Sequence, residues 1–538
     1  MKPAEIGRRK RLPHLAFVFV LSALWYGFGV EQRALTQDYV DPVSRIPAQD
    51  EAVYGQEAIN MDLSGHWLTP VFMGRYALNK PPLLQWLAAT SVRAFGMSVW
   101  ALRLPSLLAA AATTALVFWI VWRMYSLAAA LFAALLLASS HLFYVFSRLA
   151  MTDMLLAFFI SLALAILLLD PALDRLSSLL IFAAATGGAI LTKAAAGALP
   201  VIALALLRPR FSRALAAVAV AALIALPWHL YQLAVHPRWF FAEYILTQHF
   251  AVGLAAPPQY SNENHLFFYA RRLFLMDPVL TLAAALALPL IPRIWKKHPA
   301  AVIFPAVLIL ALFAFRYRSA YYVLPLLPAL VILAAAAFTA VPARARAPIA
   351  AAVLAGAVIK TAHPAATWGI PAEFKKPPEI ARSLEAYCGM HRAADLILIA
   401  SDDQFFASDL PLHHLRYCLF EKPDTAAQRP PLDFAALGIA VTVPEFNHLD
   451  ALLAGWRARL ADFGLPSTTP VGTVITAGSA AEIQDLISAH PEIDFWIPAS
   501  LLRRLSLSLV HRVQPAGAGV FLLAPKADSF TPARSCRL

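Results

Sequence analysis

The chain has 538 residues, of which 60% are hydrophobic and 14% are charged, and its formal net charge is +12. Soluble globular proteins average about 25% charged residues, so this composition excludes an ordinary soluble fold and predicts a protein embedded in a lipid bilayer. A charge of +12 alone suggests nucleic acid, but the Lys and Arg residues lie in short clusters between apolar runs. That arrangement is typical of membrane proteins, and we therefore expect no nucleic-acid partner.

The N-terminal region joins a basic stretch, KPAEIGRRKRLPH, to the apolar run LAFVFVLSALWYGFGV. It resembles a signal peptide, but no small-residue cleavage site precedes Glu31 and more apolar runs follow, so we predict a retained first helix. About eleven apolar runs approach the ~20 residues that a membrane-spanning helix needs. They are 14–30, 104–122, 127–146, 151–169, 177–191, 194–207, 214–230, 268–291, 300–315, 320–341 and 347–362.

Charge predicts the orientation of these spans. If the N-terminus is cytoplasmic and the spans alternate, nearly every basic cluster beside a span faces the cytoplasm, as the positive-inside rule requires. These clusters are Arg123, Arg175, Arg208/Arg210/Arg213, Arg293/Lys296/Lys297 and Arg344/Arg346. The outer side then receives segments 31–103 and 231–267, the turns 147–153, 191–193 and 316–322, and everything after about residue 363.

Residues 364–538 differ in character from the apolar region 1–363. Short apolar runs (DLILIAS, ALGIAVTV, VGTVITAG and GVFLLAP) alternate with helical stretches such as AAEIQDLISAH. This alternation predicts a small α/β domain outside the membrane. The three cysteines lie here without metal-ligand spacing, and both a Cys388–Cys418 disulfide and unpaired cysteines remain open.

The predicted outer segment 31–103 is too long for a simple connection, and long loops are commonly functional. Its latter part, 83–95, has the pattern of an amphipathic helix lying along the membrane interface. Polar residues cluster before that helix, in QDEAVYGQEAINM and YALNKPPLLQW: Asp50, Glu51, Tyr54, Asn79 and Lys80. Taken singly, the carboxylate pair is also typical of a solvated helix start, and the lysine of an interfacial side chain reaching water.

Ionisable residues also occur inside or beside apolar runs near the predicted outer face. Such groups are costly at that depth and are by default candidates for a functional site, although salt bridges between helices are an alternative. Cations there would hold a lipid phosphate, and a carboxylate would accept the proton of an attacking hydroxyl. The candidates in SRLAMTDMLLAFF, AILTKAAAGALP and FRYRSAYYVLP are Arg148, Asp153, Lys193, Arg316, Arg318 and Tyr321.

The order of these motifs resembles the GT-C superfamily of membrane glycosyltransferases over residues 1 to about 340. The pattern runs from DE in the first outer loop through GxWLTP, xKPPL and RLxMxDMxLAFF to LTKxxxxxLP. It is most similar to the aminoarabinose transferase-like group, which is related to the protein O-mannosyltransferases. The resemblance implies a polytopic α-helical GT-C fold with about 11–13 transmembrane helices in residues 1–363, followed by the predicted α/β domain.

The resemblance also implies roles for individual residues. Asp50 matches the essential first-loop aspartate, with Glu51 beside it, and Asp153 matches the second important aspartate, so these three are predicted to be catalytic. Lys80 matches the lysine that contacts the lipid phosphate. Lys193 in the LTK element and Arg318 before the YxLP-type helix are predicted to bind the donor phosphate with it.

Asn79 departs from the family pattern, because relatives usually have EKPP where this chain has Asn79 before Lys80. The glutamate has been associated with a bound metal, and an amide is a poor substitute at a divalent cation. We therefore predict no metal ligand, although a divalent cation remains possible as a cofactor. The residues His249 and His265 are either solvated loop histidines or contacts to the substrate, a role also considered for Asn79, Tyr54, Arg148, Arg316 and Tyr321.

The predicted function is transfer of a sugar from a polyprenyl-phosphate-linked donor to a lipid A-like lipid, a glycan or a protein. The predicted location is the bacterial cytoplasmic membrane, with the N-terminus in the cytoplasm and the tail in the periplasm. Two alternatives remain open. One is a transporter or flippase for lipid-linked sugars, although such proteins place polar groups near the midplane and often contain repeats. The other is a non-catalytic relative, which Asn79 keeps open.

Overall fold

The structure is a computed structural model. It describes residues 3–30, 39–40, 47–48, 51–72, 75–96, 98–251, 267–315, 318–362, 396–400, 420–421, 472–476, 479–506, 511–517 and 520–525. The polytopic helical fold is confirmed. Among the described residues, six helices are long and apolar enough to cross a membrane, or seven if a helix pair bent by 67° is one span. Two further apolar helices, Pro13–Gly27 and Ala300–Ala314, are shorter.

The helices of the membrane region follow one another closely. In chain order the first ten are α1 (Pro3–Gly27), α2 (Glu51–Ser64), α3 (Leu83–Phe95), α4 (Val99–Met124), α5 (Leu127–Ala138), α6 (His141–Ser147), α7 (Thr152–Leu169), α8 (Leu176–Gly197), α9 (Leu199–Leu206) and α10 (Phe211–Val235). A short turn, Pro237–Trp239, then leads into a π-helix, Phe240–Ala251. The later helices are Phe268–Met276, Pro278–Ala285, Ile291–Lys297, Ala300–Ala314, Leu327–Ala340 and Ala343–Ala362, with 3₁₀ turns at Leu288–Leu290 and Ala320–Leu326.

Helices α7, α8 and α10 pack side by side because α8 carries two glycines at its contact surfaces. An added Cβ at Gly188 would lie 2.7 Å from the ring of Phe159 on α7, and one at Gly187 would lie 2.8 Å from Cβ of Ile224 on α10. Small residues at such positions let helix backbones approach closely in a bilayer, where packing replaces the hydrophobic effect. The pair therefore fixes α8 between the two neighbouring helices.

The bend between α5 and α6 is held by a buried carboxylate at the junction of two later helices, Phe268–Met276 and Pro278–Ala285. Asp277 accepts hydrogen bonds from the Ser140 hydroxyl at 2.9 Å and from the backbone N–H of His141 at 2.5 Å. Backbone groups freed by a break in a membrane helix need such partners, because lipid offers none. The predicted span 127–146 is therefore two helices bent at a capped break.

The predicted spans 177–191 and 194–207 also differ from the observed helices. The predicted turn at 191–193 is a break inside α8, and the returning helix α9 is only eight residues long. A helix of that length rises about 12 Å, well short of the ~30 Å hydrocarbon core. The chain folds back sharply here, since a Cβ on Gly197 would lie 2.1 Å from the carbonyl carbon of Ala189.

In the tail, the described residues contain a six-stranded sheet. Its strands are Leu396–Ala400, Phe420–Glu421, Gly472–Thr476, Asp494–Pro498, His511–Gly517 and Val520–Pro525. The first pairs in parallel with the third and fourth, while the last two form an antiparallel hairpin that joins the fourth. Strands occupy the predicted runs DLILIAS, VGTVITAG and GVFLLAP, and a helix, Ala480–Ala489, occupies AAEIQDLISAH. The run ALGIAVTV, the three cysteines and the predicted boundary at 363/364 lie outside the described residues.

Candidate active site

A partly open cavity, with about 990 Å³ of empty space including its mouth, lies where α7, the break in α8, the π-helix and the 3₁₀ turn Ala320–Leu326 meet the loop before α3. Its lining includes five residues that the sequence analysis named: Asn79, Lys80, Asp153, Lys193 and His249. The structure thus brings together side chains separated by as many as 170 positions in the chain. Their catalytic and binding roles remain predictions.

Lys193 reaches the cavity because α8 loses its helical geometry at this residue. Its backbone has φ −150° and ψ 44°. Ala194 has φ +43°, a left-handed value that residues other than glycine rarely adopt. A lysine in the middle of a regular membrane helix would be costly to desolvate. The break instead places the ammonium group beside the N-terminus of α7.

Asp153 and Lys193 form a salt bridge, with Nζ 2.6 Å from Oδ1. The Asp153 side chain is 2% exposed and lies in the first turn of α7, where the partial positive charge of the helix terminus favours a carboxylate. The Lys193 side chain keeps 16% exposure towards the cavity. The interhelical salt bridge considered as an alternative therefore exists, but it lies on the wall of the cavity.

Two tyrosine rings cover the ammonium group of Lys193. Its Nζ lies 4.6 Å from the ring centre of Tyr322 and 5.5 Å from that of Tyr321. A cation over an aromatic face is stabilised by the negative potential of the ring. Tyr321 was named from the sequence, whereas Tyr322, which lines the cavity, was missed because nothing in RSAYYVLP distinguishes adjacent tyrosines.

The loop that carries Asn79 and Lys80 follows a short hairpin, Val71–Phe72 with Arg75–Tyr76. Leu78 is fully buried, and its backbone N–H donates to Oε2 of Glu243 at 2.8 Å. Asn79 lines the cavity with a buried Oδ1 that has no hydrogen-bond partner among the described residues. A buried acceptor of this kind is suited to accept a hydrogen bond from a donor group on a ligand.

His249 lies in the π-helix and lines the cavity together with Gln248. Its Nδ1 is 2.5 Å from the carbonyl oxygen of Tyr244. Because a carbonyl only accepts, Nδ1 carries the proton in the neutral ring, and Nε2 is left as an acceptor. His249 is thus an ordered part of the cavity wall, and the reading of it as a solvated loop histidine is wrong.

Glu51 does not line the cavity, and its catalytic role stays a prediction. Both carboxylate oxygens bind the guanidinium of Arg103, at 2.7 Å to Nε and 2.9 Å to Nη2, with both side chains almost wholly buried. The Oε1 atom also accepts the backbone N–H of Ala150 at 2.9 Å, and Arg103 donates to the carbonyl of Val30. These bonds assign Glu51 a structural role, tying α2 to α4 and to the chain before α7.

Arg148 and Tyr54 also lie away from the lining of the cavity. Arg148 donates to the backbone carbonyls of Phe28 and Gly29, where it fastens the end of α1, and its position in the chain near Asp153 does not create a contact between the two. Tyr54 is buried in the hydrophobic core. For both, these surroundings favour a structural role, and the substrate contact stays a prediction.

Arg318 precedes the 3₁₀ turn that carries the two tyrosines and is not among the residues that line the cavity. Its Nε is buried and has no hydrogen-bond partner within the described part of the chain. Three predicted site residues lie outside the described residues: Asp50, His265 and Arg316.

The described lining does not fit a divalent metal ion. Asp153 is its only carboxylate, and that carboxylate is engaged by Lys193. Within the described ranges, no group of three or more His, Cys, Asp and Glu side chains could hold a metal. Hard cations prefer several carboxylate or carbonyl oxygens, and neighbouring ammonium groups oppose their binding.

Arg103 is a residue that the sequence analysis missed although a signal existed. It lies in WALRLPSLL at the edge of an apolar run, so the reasoning that selected Asp153 applied equally to it. It was read as part of the loop because the span was predicted to start at 104, whereas α4 starts at Val99.

The family model for dolichyl-phosphate-mannose-protein mannosyltransferases matches residues 79–237. This range contains Lys80, Asp153 and Lys193. A protein of Aquifex aeolicus (strain VF5), described as uncharacterized, is 34% identical over 116 residues, which is 21% of this chain and 23% of that protein. The chain therefore matches about a quarter of that relative's length.

Two crystal structures of ArnT from Cupriavidus metallidurans have the same fold over nearly the whole chain. The structure bound to undecaprenyl phosphate has a TM-score of 0.66 and 18% identity, and covers 96% of this chain and 99% of that one. The apo structure has a TM-score of 0.64 and 16% identity, and covers 96% and 98%. The chain thus has the GT-C fold, and its predicted resemblance to aminoarabinose transferase-like and protein O-mannosyltransferase-related glycosyltransferases is confirmed.

Proposed function

We propose that the protein transfers a sugar from a polyprenyl-phosphate-linked donor to a hydroxyl or phosphate of a lipid A-like lipid, a glycan or a protein. The observation that carries this proposal is a cavity lined by Lys80 and Lys193 at its polar part and by apolar side chains elsewhere. The location proposed for the reaction is the outer face of the bacterial cytoplasmic membrane.

The lining changes along α7 in the way that such a donor requires. Asp153, Leu156 and Ile160 lie on one face of the helix at spacings of three and four residues, and all three line the cavity. The polar end suits a phosphate and sugar, and the apolar continuation suits a lipid chain. The ArnT crystal structure bound to undecaprenyl phosphate supports this class of ligand.

In the proposed reaction, Lys80 and Lys193 hold the donor phosphate and stabilise its charge as it leaves, with Arg318 as a further candidate. The acceptor oxygen attacks the anomeric carbon, the bond from that carbon to the phosphate oxygen breaks, and polyprenyl phosphate departs. Asp50 orients the acceptor or takes its proton, and Asp153 positions the acceptor. A single displacement of this kind inverts the anomeric configuration.

The donor set of the described lining favours a metal-independent reaction. With Asn79 next to Lys80 and Asp153 engaged by Lys193, the cations supply the charge that a metal would otherwise provide at the phosphate. We expect transfer to survive chelation by EDTA, measured in the same assay with and without added Mg²⁺ or Zn²⁺.

The direct test is transfer by purified protein from undecaprenyl-phosphate sugars to membrane lipids, glycans or proteins, followed by mass spectrometry. Asp50→Asn is expected to abolish transfer while the protein remains folded, and retained transfer by this variant would contradict the assignment of Asp50. Sugar translocation in liposomes without any modified acceptor would support a transporter instead. Comparison of envelope lipids and glycans from a deletion strain identifies the natural acceptor.

A further inference from the structure

The π-helix Phe240–Ala251 makes a direct hydrogen bond to the loop that carries Lys80. Oε2 of Glu243 accepts the backbone N–H of Leu78 at 2.8 Å, across 165 positions of the chain. Leu78 is two residues before Lys80 and fully buried. π-Helices are rare, and the short π-bulges inside α-helices frequently occur at functional sites.

An apolar cluster surrounds this hydrogen bond. Leu78 packs with Leu191 of α8, Trp228 of α10 and Phe240 and Tyr244 of the π-helix. Leu191 precedes Lys193 by two residues, and Tyr244 holds His249 through its carbonyl oxygen. The cluster therefore joins four chain segments, and three of them present a residue to the cavity a few positions away, namely Lys80, Lys193 and His249.

A second backbone hydrogen bond holds the described part of the loop before Lys80. The hairpin ends at Tyr76, and the N–H of Ala77 donates to the carbonyl of Pro70 at 2.9 Å. After Lys80, Pro81 and Pro82 have no backbone N–H to donate. A buried backbone donor without a partner is costly, so the Glu243 carboxylate both satisfies Leu78 and fixes where the loop enters the cavity.

We propose that Glu243 is a positioning residue that holds the backbone at Leu78 so that the ammonium group of Lys80 meets the donor phosphate. This inference rests on the proposed function only in naming the phosphate. A charged acceptor bonded to a backbone N–H makes a stronger attachment than a neutral one, which suits a loop that must hold its position against solvent.

Three variants separate this role from general stability. Glu243→Ala removes the acceptor, whereas Glu243→Gln keeps a carbonyl oxygen at the same place. Thr247→Ala is the matched control, because the Thr247 hydroxyl donates to the carbonyl of Ala242 within the same π-helix. Each full-length variant is compared with wild type in three measurements: hydrogen exchange at the Leu78 amide, the rate of acylation of Lys80, and binding of undecaprenyl phosphate.

Glu243→Ala is expected to expose the Leu78 amide to exchange, to change the acylation rate of Lys80, and to weaken undecaprenyl phosphate binding about tenfold. Glu243→Gln is expected to stay within about threefold of wild type, since its amide oxygen still accepts. Unchanged exchange and binding in Glu243→Ala would overturn the proposal, and so would an equal loss in Thr247→Ala. If wild-type protein does not bind undecaprenyl phosphate, the proposed donor is wrong, and the exchange and acylation results alone decide the role of Glu243.

Discussion

Two buried ion pairs of this protein show how similar groups serve different ends. Glu51 and Arg103 are 0% and 1% exposed, and the carboxylate is bound by three N–H groups. Asp153 is buried as deeply, but its partner Lys193 is 16% exposed and opens onto the cavity beneath two tyrosine rings. The first pair is closed, and a closed pair holds helices together. The second leaves a cation that a phosphate can approach.

The largest effect is expected for Glu51→Gln, which leaves the Arg103 guanidinium buried without a counter-charge. Removing one partner of a buried ion pair costs about 3–5 kcal/mol. We expect a loss of this size in the free energy of unfolding, measured in mixed micelles, with transfer activity per folded molecule preserved. The double variant Glu51→Gln, Arg103→Met is expected to recover part of the stability. Loss of activity in folded protein would instead return Glu51 to the catalytic group.

Asp153→Asn is expected to lower the transfer activity while changing the stability little. Since Lys193 still has the tyrosine rings and the open cavity, we expect a small change in melting temperature. Transfer should fall about a hundredfold, because the charge that positions the acceptor and Lys193 is lost. Steady-state kinetics together with thermal unfolding distinguish the two effects, and a variant that melts early but transfers normally would make this pair as structural as the first.

Tyr322→Leu is expected to have a smaller effect on the cavity than Asp153→Asn. Loss of a ring at 4.6 Å from Nζ of Lys193 is expected to weaken undecaprenyl phosphate binding about fivefold, because the ammonium group is then less well oriented towards the ligand. Tyr322→Phe keeps the ring face and is expected to recover most of the affinity. Equal losses in the two variants would assign the effect to the hydroxyl instead.

The smallest effect is expected at Asp170, at the other end of α7. Burial raises the pKa of this carboxyl, but hydrogen bonds from the Arg175 N–H, from Ser178 and from the Asp174 N–H outweigh it and hold the pKa below its usual value. A lowered pKa contributes stability above about pH 3.9 that disappears as the pH falls through the lower folded-state value. Asp170→Asn should therefore lower the free energy of unfolding by about 0.5–1 kcal/mol at pH 7, and the difference from wild type should shrink as the pH falls below about 3.9.

The Asp153–Lys193 pair at the cavity could be predicted largely from the sequence. Asp153 and Lys193 were recognised because ionisable residues stand out in apolar runs and follow the order of a known family pattern. Helix α3 was predicted at its observed bounds, since its amphipathic pattern begins directly after Pro81 and Pro82. These signals are local, which is why a single sequence carries them.

The buried Glu51–Arg103 pair could not be predicted in the same way. The partner of Glu51 lies 52 positions later, and neighbouring carboxylates at a helix start look alike whether they face water or a buried arginine. The interruption near Lys193 was predicted as a turn, but the sharp fold-back to a short helix and the bend after α5 could not be predicted, for a similar reason. Each depends on contacts from elsewhere in the chain, namely the close approach of Gly197 to Ala189 and the carboxylate of Asp277.

The bend capped by Asp277 has a consequence for the order in which the protein is assembled. Asp277 is synthesised 137 residues after Ser140, so α5 and α6 enter the membrane long before their cap exists. Until then the N–H groups of His141 and Leu142 lack the carboxylate that satisfies them in the folded protein. We therefore expect the bend between α5 and α6 to become stable only when the later segment that carries Asp277 packs beside it.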